Sequence, residues 1–230
     1  MCCNEGIMEQ FTKDLKEFLI RNGASDVGFA KVSYDSLEYA VSIVVKLSDF
    51  VISQIDTAPT YTYFNHYKTA NALIDRLGLL CGQKIEEQGG LYFPIPASQT
   101  VNGHNTYAGE YSHKKAAVYA GLGTIGKNAL FLHKQYGPAI RLGTVFTNLP
   151  LATGEPLSED LCDGCNLCVK NCPAQALYGK KFSWDDPDLS LLDRKACSDY
   201  MKKQFMHIGR GSVCGICMKQ CMEHFKAHHN

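Results

Sequence analysis

Apolar and polar positions change period several times along the chain, and each change marks an element. From Met8 to Asn22 the apolar residues Phe11, Leu15, Phe18 and Leu19 recur every three or four positions, which predicts an amphipathic helix. Asn22-Gly23 closes it. Val27 to Val32 and Ala40 to Leu47 are runs rich in β-branched residues and predict strands. A long helical pattern from about Thr60 to Gln88 places Leu73, Leu77, Leu80 and Ile85 on one side and stops at Gly89-Gly90. A short strand at Leu91–Ile95, a helix at Ser112–Ala120 and a strand at Ala139–Thr147 follow. This mixture predicts an α+β fold, with an α/β sandwich as its first domain. Residues 151–161 form a polar, turn-rich joint, so the expected division is 1–155 and 156–230.

Composition narrows the function. The 230 residues carry 23 Lys plus Arg against 23 Asp plus Glu, a formal net charge of zero. That leaves no basic excess to track nucleic-acid phosphates, so tRNA is not an expected partner on charge grounds. No apolar run is long enough to cross a bilayer, and Met1–Gln10 lacks the basic flank and apolar core of an export signal. A cytoplasmic protein without membrane attachment is expected.

The cysteines carry the chemistry. Eight of the 11 fall between Cys162 and Cys221, and only Cys2, Cys3 and Cys81 lie elsewhere. Such local density points to metal ligation rather than a disulfide framework. Cys162, Cys165, Cys168 and Cys172-Pro173 form a C-x2-C-x2-C-x3-C-P run, the spacing of a bacterial [4Fe–4S] ferredoxin. Four cysteines this close would crowd a single tetrahedral zinc ion. Cys214, Cys217 and Cys221 form a second run that lacks one cysteine, and Cys197 stands between the two. In such modules the fourth cysteine of a run serves the other cluster. The expected ligands are therefore Cys162, Cys165, Cys168 and Cys221 for one cluster, and Cys172, Cys197, Cys214 and Cys217 for the other. Two adjacent clusters conduct single electrons and make no bonds themselves.

Gly121-Leu-Gly123-Thr-Ile-Gly126-Lys127-Asn128 satisfies the G-x-G-x-x-G spacing of dinucleotide sites and comes within one residue of a P-loop. Context argues against both readings. A helical pattern precedes the glycines where the dinucleotide turn needs a strand. No acidic residue lies between Glu110 and Glu155 to hold a ribose, and Asn128 stands where magnesium needs Ser or Thr. The glycines are instead expected to admit the backbone to a bulky cofactor or to turn the chain. Lys127 is expected either to meet a carboxamide or phosphate of that cofactor or to lie on the surface.

The segment Ala120–Asn128, the segment Gly143–Pro150 and the double cysteine run together resemble the epoxyqueuosine reductase family, which shares its core with the reductive dehalogenases. Gly23–Ala30 resembles an early strand entry of the same family. The resemblance implies a cobalamin-binding α+β domain followed by a ferredoxin-like module with two [4Fe–4S] clusters. It implies electrons passing through both clusters to cobalt, and cofactor contacts at Gly121, Gly123, Gly126, Lys127 and Asn128. The family's catalytic aspartate falls at Tyr107 here, so Tyr107 by position and His104 by chemistry are the candidate proton donors. His66 is read as structural. Expected partners are a ferredoxin or flavodoxin as electron donor and a small-molecule or modified-nucleoside substrate. The rival expectations are a non-catalytic electron carrier and a corrinoid-linked activator or sensor.

Overall fold

The first helix of the computed structural model ends where Asn22-Gly23 predicts. Gly23 adopts φ +112°, a backbone state open to glycine, and its N–H donates to Ile20 O at 3.0 Å while Ala24 N–H donates to Leu19 O at 3.0 Å. This pair of bonds is a Schellman cap.

The structure describes residues 2–99, 107, 109–162, 164–183, 190–209 and 213–229. In chain order the elements are α1 (Cys2–Arg21), β1 (Asp26–Ala30), β2 (Tyr39–Lys46), α2 (Asp49–Ser53), α3 (Tyr61–Glu86), β3 (Tyr92–Ile95) and α4 (His113–Tyr119). They continue with β4 (Gly123–Ile125), β5 (Phe131–His133), β6 (Ile140–Thr147), α5 (Leu167–Lys170), α6 (Arg194–Phe205) and α7 (Ile216–His229). The chain divides into two units that interleave along the sequence. One comprises residues 1–46, 69–122 and 141–158, and the other 47–68, 123–140 and 159–230. A single cut near residue 155 would leave 47–68 and 123–140 outside the unit in which their residues pack.

The first unit holds a four-stranded sheet in the order β1-β2-β6-β3. β1 and β2 are antiparallel, with Gly28 opposite Ser42 and Ala30 opposite Ala40. β3 and β6 are antiparallel, with Tyr92 opposite Thr147 and Ile95 opposite Thr144. The central strands are buried along almost their whole length, so both faces are covered. α3 covers one face: a Cβ on Gly143 would lie 2.5 Å from Ile74 and 3.8 Å from Ile43. The other face, which carries Gly28 and Ser42, receives the end of α4, where a Cβ on Gly28 would lie 2.9 Å from Leu122. Pro94 sits on the edge strand β3, where a missing N–H is tolerated.

The second unit is built from α2, the start of α3, a β4–β5 hairpin, and α5 to α7. Ser48 caps α2, its Oγ accepting from Val51 N–H at 3.4 Å. His66 Nε2 accepts from Ser48 N–H at 2.8 Å, so this histidine is engaged in the fold. Asp193 caps α6 by accepting from Ala196 N–H at 2.8 Å. Ile55, Tyr63, Phe205, Ile216, Met222 and Phe225 are buried within this unit. No helix among the described residues is long and apolar enough to cross a membrane.

Candidate iron–sulfur centre

The cysteine runs take their shape from short elements. Leu161 N–H donates to Thr124 Oγ1 of β4 at 3.3 Å, and Cys162 N–H donates to Asp160 Oδ1 at 2.9 Å, which ties the start of the first run to the hairpin. Cys168 lies on α5, and Cys172 follows it by four residues. Cys197 lies on α6. Gly215 at φ +85° turns the chain into α7, since a Cβ there would stand 2.8 Å from Ile55. Cys217 and Cys221 then fall one helical turn apart on α7.

Two sets of thiols come together. Beyond burial, which is the main cause, the groups that push the Cys221 thiol up to about 12 are Cys168, Cys162 and Cys165. Burial pushes Cys214 up to about 11, and its thiol neighbours are Cys197 and Cys172. Cys217 is driven higher still by burial, then by Cys214, Cys197 and Cys172, and last by Cys168 of the first run. Cys197 is raised by burial and then by Cys172. Cys81 and the eight cysteines from Cys162 to Cys221 are free thiols, and Cys81 is fully buried on α3, away from both sets in sequence. Among the described residues no three His, Cys, Asp or Glu side chains converge tightly enough for a single ion. A [4Fe–4S] cube presents a separate iron to each thiolate, so its ligands need not converge on one point.

Backbone and side-chain donors face these sulfurs. Cys172 Sγ accepts from Ala176 N–H at 3.4 Å, and Cys162 Sγ accepts from Lys127 N–H at 3.5 Å. Lys127 Nζ donates to Asn166 Oδ1 at 2.9 Å and to Cys165 O at 3.5 Å. The Asn128 side chain accepts from Leu130 N–H through Oδ1 at 3.1 Å. Its amide nitrogen is buried without a hydrogen bond of ordinary geometry, yet lies near enough to Cys221 to hold that thiol down against burial. The donor set, the buried thiols and this orphaned amide fit an iron–sulfur cluster.

The glycine segment leads from helix α4 into strand β4, the reverse of the strand-to-helix order of a dinucleotide turn. Gly121 has φ +68°, and a Cβ there would stand 2.5 Å from Glu155 O. A Cβ on Gly123 would stand 1.9 Å from Leu132 O. On Gly126 it would meet Asn128 Oδ1 at 2.9 Å and Leu132 at 3.1 Å. The chain itself fills the space in front of all three glycines, and Lys127 and Asn128 face cysteines. These five residues do not form a cradle for a corrin.

Of the candidate proton donors, Tyr107 is exposed, and His104 lies outside the described residues. Their neighbours are engaged in the first unit. The Tyr34 hydroxyl donates to the Glu110 carboxylate. The Tyr111 ring packs edge-on against Phe146 at 4.7 Å between centroids, and burial pushes its hydroxyl up to about 12. His113 bridges Thr144 Oγ1 at 2.9 Å and Pro96 O at 3.1 Å, and burial lowers its pKa. It stands beside a cavity of about 320 Å³ lined by Ile43, Ile74, Asp75, Pro94, Ile95 and Thr144. Spacing could not reveal the Lys127–Asn166 contact, although the asparagine inside the cysteine run is its visible half.

Comparison with known proteins agrees with the geometry. A family described as "4Fe-4S binding domain" matches residues 158–177. An epoxyqueuosine reductase of Listeria monocytogenes is 33% identical over 115 residues, covering 49% of this chain and 30% of the relative. A tetrachloroethene reductive dehalogenase of Sulfurospirillum multivorans is 29% identical over 135 residues, covering 56% and 25%. The chain thus covers less than a third of these relatives. Among solved structures, the catabolic reductive dehalogenase NpRdhA superposes with a TM-score of 0.75 at 20% identity, covering 93% of this chain and 32% of that one. An epoxyqueuosine reductase solved with a modified tRNA-Tyr stem loop superposes at 0.62 and 17% identity, covering 96% and 66%. The class is therefore an iron–sulfur α+β protein. Within that class, the chain is related to the epoxyqueuosine reductases and the reductive dehalogenases, both oxidoreductases.

Proposed function

We propose that this chain is an iron–sulfur oxidoreductase in which two [4Fe–4S] clusters pass single electrons toward an acceptor. Cys162, Cys165, Cys168 and Cys221 would hold one cluster, and Cys172, Cys197, Cys214 and Cys217 the other. The observation that carries this reading is the exchange between runs: Cys221 stands with the first three cysteines of the first run, and Cys172 with the second. The clusters would supply reversible one-electron storage. The protein's own part is to ligate them, to shield them by burying the thiols, and to direct N–H donors at their sulfurs.

The relatives point to two acceptor chemistries, an epoxide on a modified nucleoside and a carbon–halogen bond, and one related structure concerns B12-dependent dehalogenation. Cobalamin is the cofactor these relatives suggest, but Gly121, Gly123, Gly126, Lys127 and Asn128 are turned to other work. For a proton donor the reading keeps Tyr107 and His104. The electron donor would be a ferredoxin or flavodoxin.

That misfit favours a second reading, a non-catalytic electron carrier. The two separate in one experiment. Anaerobically reconstituted protein would be mixed with cobalamin, desalted, and examined for retained corrin absorption; reduced protein would then be offered an epoxyqueuosine-containing tRNA stem loop and, separately, a halophenol. Retained corrin or product formation supports the reductase. Intact clusters with neither leave the carrier.

A further inference from the structure

Lys127 is a buried cation whose ammonium is held by two neutral oxygens, Asn166 Oδ1 and Cys165 O. No carboxylate of a described residue pairs with it. A buried charge is costly unless something of opposite sign faces it. Its own N–H points at Cys162 Sγ, and the next residue, Asn128, is buried with its amide nitrogen unsatisfied and close to Cys221. The cation thus lies within electrostatic reach of Cys162, the backbone donor faces Cys162 and the side-chain donor lies near Cys221, two thiols of the set Cys162, Cys165, Cys168 and Cys221.

We infer that Lys127 and Asn128 set the reduction potential of the cluster held by that set, as positioning residues that favour its reduced form. This rests on the iron–sulfur reading above. Reduction adds one electron to the cluster, with no bond made or broken and no proton required, so the cube and its four thiolates gain one negative charge. A neighbouring cation and N–H donors stabilise that added charge, and net charge and hydrogen bonds to sulfur are the established levers on such potentials. The second set, Cys172, Cys197, Cys214 and Cys217, receives none of these three groups. The two clusters would thus differ in potential, the Lys127 cluster being the easier to reduce.

The test is a dithionite titration of the full chain, reconstituted anaerobically with iron and sulfide and followed by electron paramagnetic resonance. Lys127→Met should make one of the two clusters about tenfold harder to reduce, a downward shift of about 59 mV for one electron. Lys127→Arg should restore most of it. Asn128→Asp keeps the acceptor for Leu130 N–H but replaces the donor with a negative oxygen, so it should shift the same cluster downward. Unchanged potentials in Lys127→Met and Asn128→Asp, or equal shifts of both clusters, would overturn the inference. If Lys127→Met loses the cluster, Asn128→Asp decides by the same criterion. A wild-type chain that holds no cluster would instead remove the function on which the inference rests.

Discussion

Cys217 lies within electrostatic reach of Cys168, although the two belong to different thiol sets. α7 carries Cys217 with the Cys172 set and, one turn on, Cys221 with the Cys162 set. One helix thus serves both sets. That is the physical basis for expecting the proposed clusters to be neighbours in an electron path.

Single cysteine replacements should divide by set. Cys221→Ala and Cys197→Ala each remove one ligand from a different set, and each should lower bound iron from about eight to about four per chain. Cys81→Ser should leave iron unchanged. It should instead destabilise the fold by roughly 1–3 kcal/mol, because it places a hydroxyl among the fully buried residues of α3. Iron assay and urea unfolding of the three variants would separate these effects.

Cluster assembly should depend on pH in a definite direction. Burial raises Cys162, Cys168, Cys197, Cys214, Cys217 and Cys221 above the ordinary thiol value, so the metal-free thiols are protonated near neutrality. Ligation needs thiolates and releases protons. At fixed iron and sulfide, incorporation should therefore increase as pH rises from about 7 to about 9. A flat or falling yield would contradict the buried-thiol account.

His113 gives the first unit its own acid sensitivity. Its pKa in the fold is lowered, chiefly by burial. The unfolded chain thus binds a proton at this position at pH values where the folded chain does not, and stability rises with pH there. The contribution is fully present above about pH 6.5 and is lost as pH falls through the depressed folded value. Urea midpoints of wild type and His113→Gln, compared across this range, should show a shallower slope in the variant.

The glycine segment should tolerate no side chain at Gly123. A Cβ there would stand 1.9 Å from a backbone oxygen of β5, and strand spacing would have to change to relieve it. Gly123→Ala should cost roughly 3 kcal/mol or more. Gly6→Ala on α1, with nothing within 4 Å of the new methyl, should stabilise by about 0.5–1 kcal/mol. Thermal unfolding of the pair tests whether Gly123 serves the hairpin.

Much of this was legible in the residues because the signals are local. α3, β2 and β6 carry unbroken helical or β-branched patterns, and their observed bounds fall within two residues of the expected ones, whereas α1 starts at Cys2, six residues ahead of the expected Met8. The match of a 4Fe-4S binding domain over residues 158–177 was legible from the spacing of Cys162, Cys165, Cys168 and Cys172. The β4–β5 hairpin was not, because its strands are three residues long and its turn relies on Ala129 at φ +58°, a conformation sequence does not advertise. The interleaved units were hidden for the same reason: 47–68 and 123–140 owe their placement to packing, not to a change in composition. Lys127 and Asn128 were visible as a motif, but the cysteines they approach, Cys162 and Cys221, lie about 35 and 93 residues later in the sequence.

Two cubes on eight thiolates make the most direct test an iron count. Iron and acid-labile sulfide would be counted in the anaerobically reconstituted full chain, with electron paramagnetic resonance of the dithionite-reduced protein. The account predicts about eight irons and eight sulfides per chain, and a spectrum broadened by coupling between two reduced clusters. About four irons with a single uncoupled signal, or zinc in place of iron, would contradict it.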